Sequence, residues 1–329
     1  MKKRLMNGMI GAVVALVVLA GSARSVWAGA VITSGPVTLG IGTLGNLGDG
    51  TFGGTGLSLA GVGDAIAPGC FCEGWGVAGN GKSGYADIAV DGFVNLTGDS
   101  FGSTATTATS MVHLTSLPDL QVTQAYAPSA GAPTALFEDT VTIKNASGTT
   151  SLTDVRYRRV MDWDIPPTVF HEFVTIAGLP ATNIIFTNDD GFDTANPLSV
   201  PTSPGGDLFG CGTSVNFTDC GPSDHGAHFD FKFDDLNPGD SKTFSIFYGA
   251  AYSEAAALAA LGSVGAEVYS LGQFSGDPTG GTPGTYIFGF KGVGGTPIGT
   301  TPVIPEPGTL SLLTLGFAGI GFGARKRLF

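Results

Sequence analysis

The sequence predicts an all-β body of one or two β-sandwich domains with one short helix. An N-terminal signal peptide and a single C-terminal transmembrane helix are expected to flank this body. Runs of alternating apolar and polar residues recur, as in HFDFKFD from His228 and KTFSIFYG from Lys242. A period of two is that of a strand with one buried face. These runs end at Gly, Asn, Pro or Asp, which favour turns, and helical periodicity is confined to one segment.

Residues 1–28 have the parts of a secretory signal peptide. A basic start at residues 2–4 is followed by an uncharged apolar run, Met9–Ala20, and by small residues before an expected cut after Ala28. Ala30 is a second candidate position for this cut. The apolar run is shorter than the ~20 residues that span a bilayer. We therefore expect signal peptidase to remove the segment.

The body that follows is long enough for one large or two modest domains. The sequence APSAGAP interrupts the strand pattern near residue 130, which suggests an N-terminal β-rich domain at residues 29–130 and a C-terminal β-sandwich domain at residues 131–292. Residues 293–302 are rich in Gly, Thr and Pro and are predicted to form a flexible linker.

The most informative strand is DVRYRRVMDWDI, which begins at Asp154. Its alternation places the apolar residues, together with Arg159, on one face. The other face carries four charged residues, which are Arg156, Arg158, Asp162 and Asp164. We expect a core strand whose outer face carries a surface ladder of charges that pair with neighbouring strands.

One helix is predicted after Ser253, where the segment EAAALAALGSVGAEV follows a residue suited to capping. Glu254 lies in the first turn, where an acidic residue favours the helix. Leu258 and Leu261 lie three residues apart and share a face. We expect this helix to lie on a sheet edge.

The segment GVAGNGKS, Gly76–Ser83, matches the phosphate-binding loop pattern. A working loop of this kind follows a buried strand and opens a helix. Here no apolar strand precedes the segment and an alternating run follows it. The segment is therefore interpreted as a turn between two strands, with Lys82 in the turn, and not as a nucleotide site.

The body is strongly acidic. Outside the predicted signal peptide and tail it has 8 basic and 26 acidic residues, a net charge of −18. Such a surface repels nucleic acid and anionic lipid, so neither is expected as a partner of the body.

Four cysteines, Cys70, Cys72, Cys211 and Cys220, predict disulfides in an exported chain. The spacing leaves all three connectivities open, and we favour Cys211–Cys220 with Cys70–Cys72 as the second pair. Zinc is a poorer interpretation because no C-x-x-C pair is present.

The segment NDDGFD, Asn188–Asp193, offers oxygen ligands around a Gly turn, the arrangement that Ca²⁺ prefers. Asp189, Asp190 and Asp193 are therefore the candidate calcium ligands, although Asp-rich turns also form without a metal. No other cofactor is expected. His225 and His228 form a weaker metal candidate. No catalytic motif stands out, and we predict that the protein is not an enzyme.

The chain ends with a triplet, Pro305, Glu306 and Pro307, an apolar stretch, Gly308–Ala324, and a basic cluster. The cluster consists of Arg325, Lys326 and Arg327. Residues 303–329 resemble the PEP-CTERM sorting signal of Gram-negative bacteria, also called the ice-binding-protein C-terminal domain. The triplet would be the sorting motif. The apolar stretch would form the membrane helix, and the cluster would stop transfer on the cytoplasmic side.

The resemblance implies recognition by an exosortase, a membrane enzyme that removes the tail. The protein is then expected to be exported, anchored in the inner membrane before processing, and afterwards at the cell surface or outside the cell. Body segments such as CFCEGWGV and DHGAHFDF also resemble a family of exported bacterial proteins that often end in sorting tails.

The resemblance associates the chain with exopolysaccharide and biofilm matrix. We therefore predict an exported matrix or cell-surface protein with a structural or adhesive body and exopolysaccharide as a partner. The alternative is a secreted carbohydrate-active hydrolase or a carbohydrate-binding module, because a glycosidase needs only two carboxylates.

Overall fold

The computed structural model describes residues 29–48, 54–201 and 210–299. This part of the chain is all-β with one helix, as predicted. The elements are β1 (Ala30–Ser34), β2 (Val37–Ile41), β3 (Leu57–Leu59), β4 (Gly63–Asp64), β5 (Glu73–Gly79), β6 (Lys82–Asp87), β7 (Gly92–Val94), β8 (Leu96–Ser103), β9 (Ala108–Leu114), β10 (Leu117–Pro128), β11 (Leu136–Asn145), β12 (Arg156–Asp162), β13 (Glu172–Ala177), β14 (Ile184–Asn188), β15 (Phe217–Ser223), β16 (Gly226–Lys232), β17 (Ser241–Ala251), α1 (Glu254–Val264), β18 (Val268–Phe274) and β19 (Thr285–Lys291).

The strands form three antiparallel sheets. The largest has nine strands in the order β15-β13-β18-β19-β17-β11-β10-β9-β8, and the second has six in the order β14-β16-β12-β5-β6-β7. A small sheet contains β1 to β4 in sequence order. Consecutive strands form hairpins in many places, but β12 pairs with the distant β5 and β11 with the distant β17. Pairing between strands that are distant in the sequence therefore determines the strand order of the two large sheets.

The two large sheets pack face to face through aromatic side chains. Phe229 of β16 lies 5.5 Å from Phe288 and 4.7 Å from Phe290 of β19, between ring centroids. Tyr157 of β12 meets Phe244 of β17 edge to face at 5.1 Å. These rings belong to one core cluster that includes residues of all three sheets. The arrangement is consistent with the predicted β-sandwich.

The helix α1 covers the outer face of the nine-stranded sheet. Phe247 of β17 and Ile287 of β19 point away from the main core and pack with Leu261 of the helix. The helix thus lies over the central strands of a sheet face, and the prediction that it lies on a sheet edge is wrong. The sequence of β17 explains the difference, because the face opposite the core carries Phe247, a large apolar residue that the helix covers.

The ends of α1 follow local sequence. Ser253 is the N-cap, and its side chain accepts a hydrogen bond from the backbone N–H of Ala256. Gly265 ends the helix in the left-handed conformation with φ of 66°, which Gly adopts without strain. The predicted start is confirmed, and the chain turns at Gly265 before β18.

The GVAGNGKS segment forms a hairpin, which confirms the predicted turn between two strands, but Lys82 is the first residue of β6 and the prediction that it lies in the turn is wrong. Strand β5 ends at Gly79, and β6 begins at Lys82. The two turn residues, Asn80 and Gly81, have positive φ angles of 52° and 69°, as the favoured two-residue hairpin turn requires. A Cβ atom on Gly76 would collide with the carbonyl oxygen of Ala195.

The large sheets extend across the predicted domain boundary. Strand β10 pairs with β11 over nine residue pairs from Leu120 to Pro128, and the six-stranded sheet also contains strands from both predicted domains. The sheets therefore do not divide near residue 130.

Residues 293–299 are held against the body. Val293 is buried, Asn183 donates a backbone hydrogen bond to the carbonyl of Val293, and Ile298 donates one to the carbonyl of Ala266. This part of the predicted linker is not a free spacer. The predicted signal peptide, residues 1–28, and tail, residues 303–329, lie outside the described residues. Within the described ranges, no helix has the length and apolar character needed to cross a membrane.

Candidate functional site

Three of the four charged side chains of β12 are buried, and Arg156 is partly exposed. Arg158 is 1% exposed and Asp162 is 2% exposed. Arg158 lies directly opposite Asp230 of β16 and donates two hydrogen bonds to its carboxylate, at 2.6 and 2.8 Å. It also donates to the carbonyls of Thr194 and Ser199, so the chain near these residues covers this face. The predicted pairing with a neighbouring strand is confirmed, but the predicted surface ladder is wrong.

On the core side of β12, Arg159 is the centre of a buried polar network. Its guanidinium donates to Glu73 of β5 at 2.5 Å and to Gln124 of β10 at 2.7 Å. It also donates to the hydroxyls of Tyr157 and Tyr126. The second carboxylate oxygen of Glu73 accepts the backbone N–H of Leu47. Since each of these groups has a partner, we assign a structural role to the network.

A third group of charged side chains lies at the end of β12 and on neighbouring segments. Unlike the groups around Arg158 and Arg159, it consists of carboxylates. Asp162 ends β12 and Asp164 follows two residues later, so both side chains extend to the same side. Trp163, between them, points into the core and donates its indole N–H to Ser270 at 3.1 Å. Glu172 begins β13, and Asp224 lies between β15 and β16. We call Asp162, Asp164, Glu172 and Asp224 the acidic cluster.

The acidic cluster is compact and largely buried. Carboxylate oxygens of Asp162, Asp164 and Asp224 lie within 4.8 Å of one another. Asp164 and Glu172 are 0% exposed, while Asp224 is partly exposed. One oxygen of Glu172 accepts the backbone N–H of His225 at 2.8 Å. The cluster therefore has a partly open side at Asp224 and a closed side at β12 and β13.

Several oxygens of the acidic cluster accept no hydrogen bond within the described chain. Among the described residues, Asp164 has two oxygens without a hydrogen bond. The other three members, Asp162, Glu172 and Asp224, each have one such oxygen. Arg158 and Arg159 are engaged elsewhere, and no ion pair between the cluster and a lysine or arginine occurs among the described residues. Buried charge without a counter-charge is costly.

The pKa values of the acidic cluster reflect this environment. Burial, reinforced by Asp164, Asp224 and Glu172, raises the pKa of Asp162 to about 9. Burial raises the pKa of Asp164 to about 8, with Asp224 adding to the effect. Burial also raises the pKa of Glu172 to about 8, although the N–H of His225 opposes it. The charged forms are thus disfavoured by desolvation and by mutual repulsion.

A disulfide borders the acidic cluster. Cys70 is bonded to Cys72, and the backbone N–H of Asp162 donates to the carbonyl of Cys72 at 2.8 Å. The other bridge joins Cys211 to Cys220. Both are the pairs that the sequence favoured. The four sulfurs are consumed in disulfides, so the potential ligands at the cluster are oxygens.

The predicted calcium ligands lie in a neighbouring segment and are directed to other groups. Asp189 lies 3.1 Å from Nδ1 of His225, and Asp193 lies 3.4 Å from Nδ1 of His228. Asp190 accepts the backbone N–H of Phe192. Burial lowers the pKa of His228, but Asp230 and Asp193 outweigh this effect and raise it. The calcium site predicted at Asp189, Asp190 and Asp193 stays a prediction.

The acidic cluster was not predicted as a site. The sequence placed Asp162 and Asp164 on one face of a strand, but it assigned that face to the surface. The D-x-D spacing at the end of a strand was the available signal. Glu172 and Asp224 are distant in the sequence. They reach the same place because β12 pairs with β16 and because the sheet that contains β13 packs against the sheet of these two strands.

The predicted sorting residues, Pro305 to Pro307 and Arg325 to Arg327, lie outside the described residues. Residues 303–327 match the family model of the PEP-CTERM protein-sorting motif. The chain therefore carries this motif at its C-terminus and is marked as an exported protein that an exosortase processes. No curated protein matches the chain.

Proposed function

We propose that the protein is a non-enzymatic structural or adhesive component of the cell surface or the extracellular matrix. The PEP-CTERM motif at residues 303–327 carries this proposal, because it directs the body to the outside of the cell. Exopolysaccharide is the proposed partner of the body, and membrane attachment through the tail precedes processing.

Features of the body support this role. Two disulfides, Cys70–Cys72 and Cys211–Cys220, suit an oxidising location outside the cytoplasm. The cationic side chains of Arg158 and Arg159 are buried. The net charge of −18 outside the predicted signal peptide and tail keeps the body soluble. A rigid, acidic sandwich is suited to a hydrated matrix.

A second candidate function is glycoside hydrolysis. The raised pKa values of Asp164 and Glu172, each about 8, are what a general acid requires at neutral pH. Both side chains are 0% exposed, however, which leaves a sugar ring little access. We therefore place the structural role first.

Intact mass of the protein from cells and from culture matrix tests the proposal. We expect a matrix-associated form that lacks residues 1–28 and the tail beyond the Pro-Glu-Pro triplet. A variant with Pro305, Glu306 and Pro307 replaced by Ala should keep the tail and stay with the cell envelope. A wild-type protein found only with its tail to Phe329 would contradict release into the matrix.

Incubation of the purified protein with the exopolysaccharide of the producing cells separates the two candidate functions. A matrix component should co-sediment with the polymer and leave its chain length unchanged. Release of new reducing ends, lost in Glu172→Gln, would favour the hydrolase instead.

A further inference from the structure

We propose that the acidic cluster of Asp162, Asp164, Glu172 and Asp224 is a calcium-binding site that stabilises the body outside the cell. The site joins both large sheets, since Asp162 ends a strand of the six-stranded sheet and Glu172 begins a strand of the nine-stranded sheet. An ion held there links the two layers of the sandwich at one end.

The geometry suits one ion. Oxygens of Asp162, Asp164 and Asp224 lie within 4.8 Å of one another. Two ligands on opposite sides of Ca²⁺, each at about 2.4 Å, are separated by about this distance. Three carboxylates can therefore contact a common ion without a large movement of the chain. Glu172 interacts electrostatically with Asp162 and Asp164, and one of its oxygens has no hydrogen-bond partner within the described chain, so it borders the three ligands as a further candidate.

The charge balance favours a cation. The acidic cluster has four carboxyl groups, of which Asp162, Asp164 and Glu172 are at most 2% exposed. Both oxygens of Asp164 lack a hydrogen bond within the described residues, although this side chain is fully buried. A divalent ion would satisfy these oxygens and remove the repulsion between the carboxylates.

The chemistry of the donors selects calcium. All four side chains offer hard oxygen atoms, and the neighbouring Cys70 and Cys72 are joined in a disulfide. Oxygen-only sites suit Ca²⁺ and Mg²⁺ more than zinc or copper. Ca²⁺ accepts several carboxylates in irregular geometry, whereas Mg²⁺ keeps most of its water. Asp224, which is partly exposed, gives the ion access from solvent.

The first test is thermal unfolding of the full-length protein in detergent after treatment with EDTA, with and without added CaCl₂. At calcium a hundredfold above the dissociation constant, the melting temperature should rise by roughly 5 °C or more. We expect a dissociation constant of about 10⁻⁴ M or lower. The same concentration of MgCl₂ should give a smaller rise.

Variants locate the site. Asp164→Asn should lose the calcium-dependent rise but melt at a higher temperature than wild type in EDTA, because one of the repelling groups is gone. If Asp164 only stabilised the fold, the Asp164→Asn variant would melt at a lower temperature than wild type in EDTA. Asp190→Asn and the exposed control Asp119→Asn should keep the full calcium effect. Glu172→Gln serves as the second variant if Asp164→Asn does not fold.

Terbium luminescence gives a readout that does not depend on stability. Trp163 lies between two proposed ligands and should sensitise bound Tb³⁺. Calcium should displace the bound Tb³⁺ and so reduce its luminescence, and the Asp164→Asn variant should show no sensitised luminescence. The proposal is overturned if wild type shows neither a melting shift nor displaceable luminescence. It is also overturned if Asp190→Asn abolishes both effects while Asp164→Asn keeps them.

Discussion

Arg159 of β12 and Glu73 of β5 form an ion pair in which both side chains are 0% exposed. The two residues are 86 positions apart in the sequence, and they meet because their strands pair within the six-stranded sheet. The pair lies against the nine-stranded sheet, where Gln124 and Tyr248 complete its contacts. The network therefore joins both sheets through fully buried charges.

Replacing Arg159 by Met should destabilise the protein strongly. The change leaves Glu73 buried without its partner, which costs about 3–5 kcal/mol in comparable pairs. Arg156 lies on the same strand, but its ion pair with Asp154 is partly exposed, at 31% and 36%. Arg156→Met should therefore cost less than about 1 kcal/mol. Urea unfolding measures the free energy of unfolding of both variants. A similar loss of stability in Arg159→Met and Arg156→Met would contradict the structural role assigned to the network.

Asp139 should make stability depend on pH. Burial, opposed by Arg159, raises its pKa from 3.8 to about 7. The folded state therefore keeps a proton that the unfolded state loses above about pH 3.8. The stabilising contribution is complete below that pH and is lost as pH rises through about 7.

Asp139→Asn should remove this pH dependence. At pH 8 the variant should be more stable than wild type by roughly 2–4 kcal/mol, and the two proteins should converge toward pH 4. Asp119→Asn, an exposed substitution, should follow the wild-type curve. Urea unfolding across the pH range checks the prediction, which fails if Asp139→Asn and wild type show parallel curves.

Local sequence was sufficient to predict several elements. The alternation of β16 and β17 identified their core faces, and Ser253 identified the start of α1. The alternating run after GVAGNGKS was sufficient to predict a turn between two strands, and the structure places this turn at Asn80 and Gly81, which accept positive φ angles. In each case the determining interaction lies within a few residues of the chain.

The distribution of burial could not be predicted in the same way. Arg158 was expected on a surface, but it pairs with Asp230 and the chain around Thr194 and Ser199 covers it. The acidic cluster likewise depends on which strands become neighbours. A period of two shows which residues share a face, but it does not show what lies over that face.

Gly76 should be intolerant of substitution for a packing reason. A Cβ atom there meets the backbone of Ala195, so Gly76→Ala should cost about 1–3 kcal/mol. Lys82→Ala, within the same loop pattern, should change stability by less than about 0.5 kcal/mol. ATP with magnesium should leave the melting temperature of wild type unchanged relative to magnesium alone. A nucleotide-dependent rise that Lys82→Ala abolishes would refute the hairpin interpretation.

The Cys211–Cys220 disulfide should contribute more stability than Cys70–Cys72. Cys220 lies on β15, which is an edge strand of the nine-stranded sheet and pairs with β13 through an irregular register. Nine positions separate Cys211 and Cys220, and two separate Cys70 and Cys72. Constraint of the unfolded chain increases with loop length, so the longer loop should contribute about 3 kcal/mol and the shorter one about 1.5 kcal/mol.

Double replacement by serine measures the two contributions in urea unfolding. Cys211→Ser with Cys220→Ser should lose the larger amount, and it should leave the calcium-dependent rise in melting temperature intact. Cys70→Ser with Cys72→Ser should lose less stability but weaken calcium binding, because the backbone of Cys72 positions Asp162 through a hydrogen bond. The opposite order of stabilities would mean that native contacts around Cys70, and not loop length, determine what each bridge contributes.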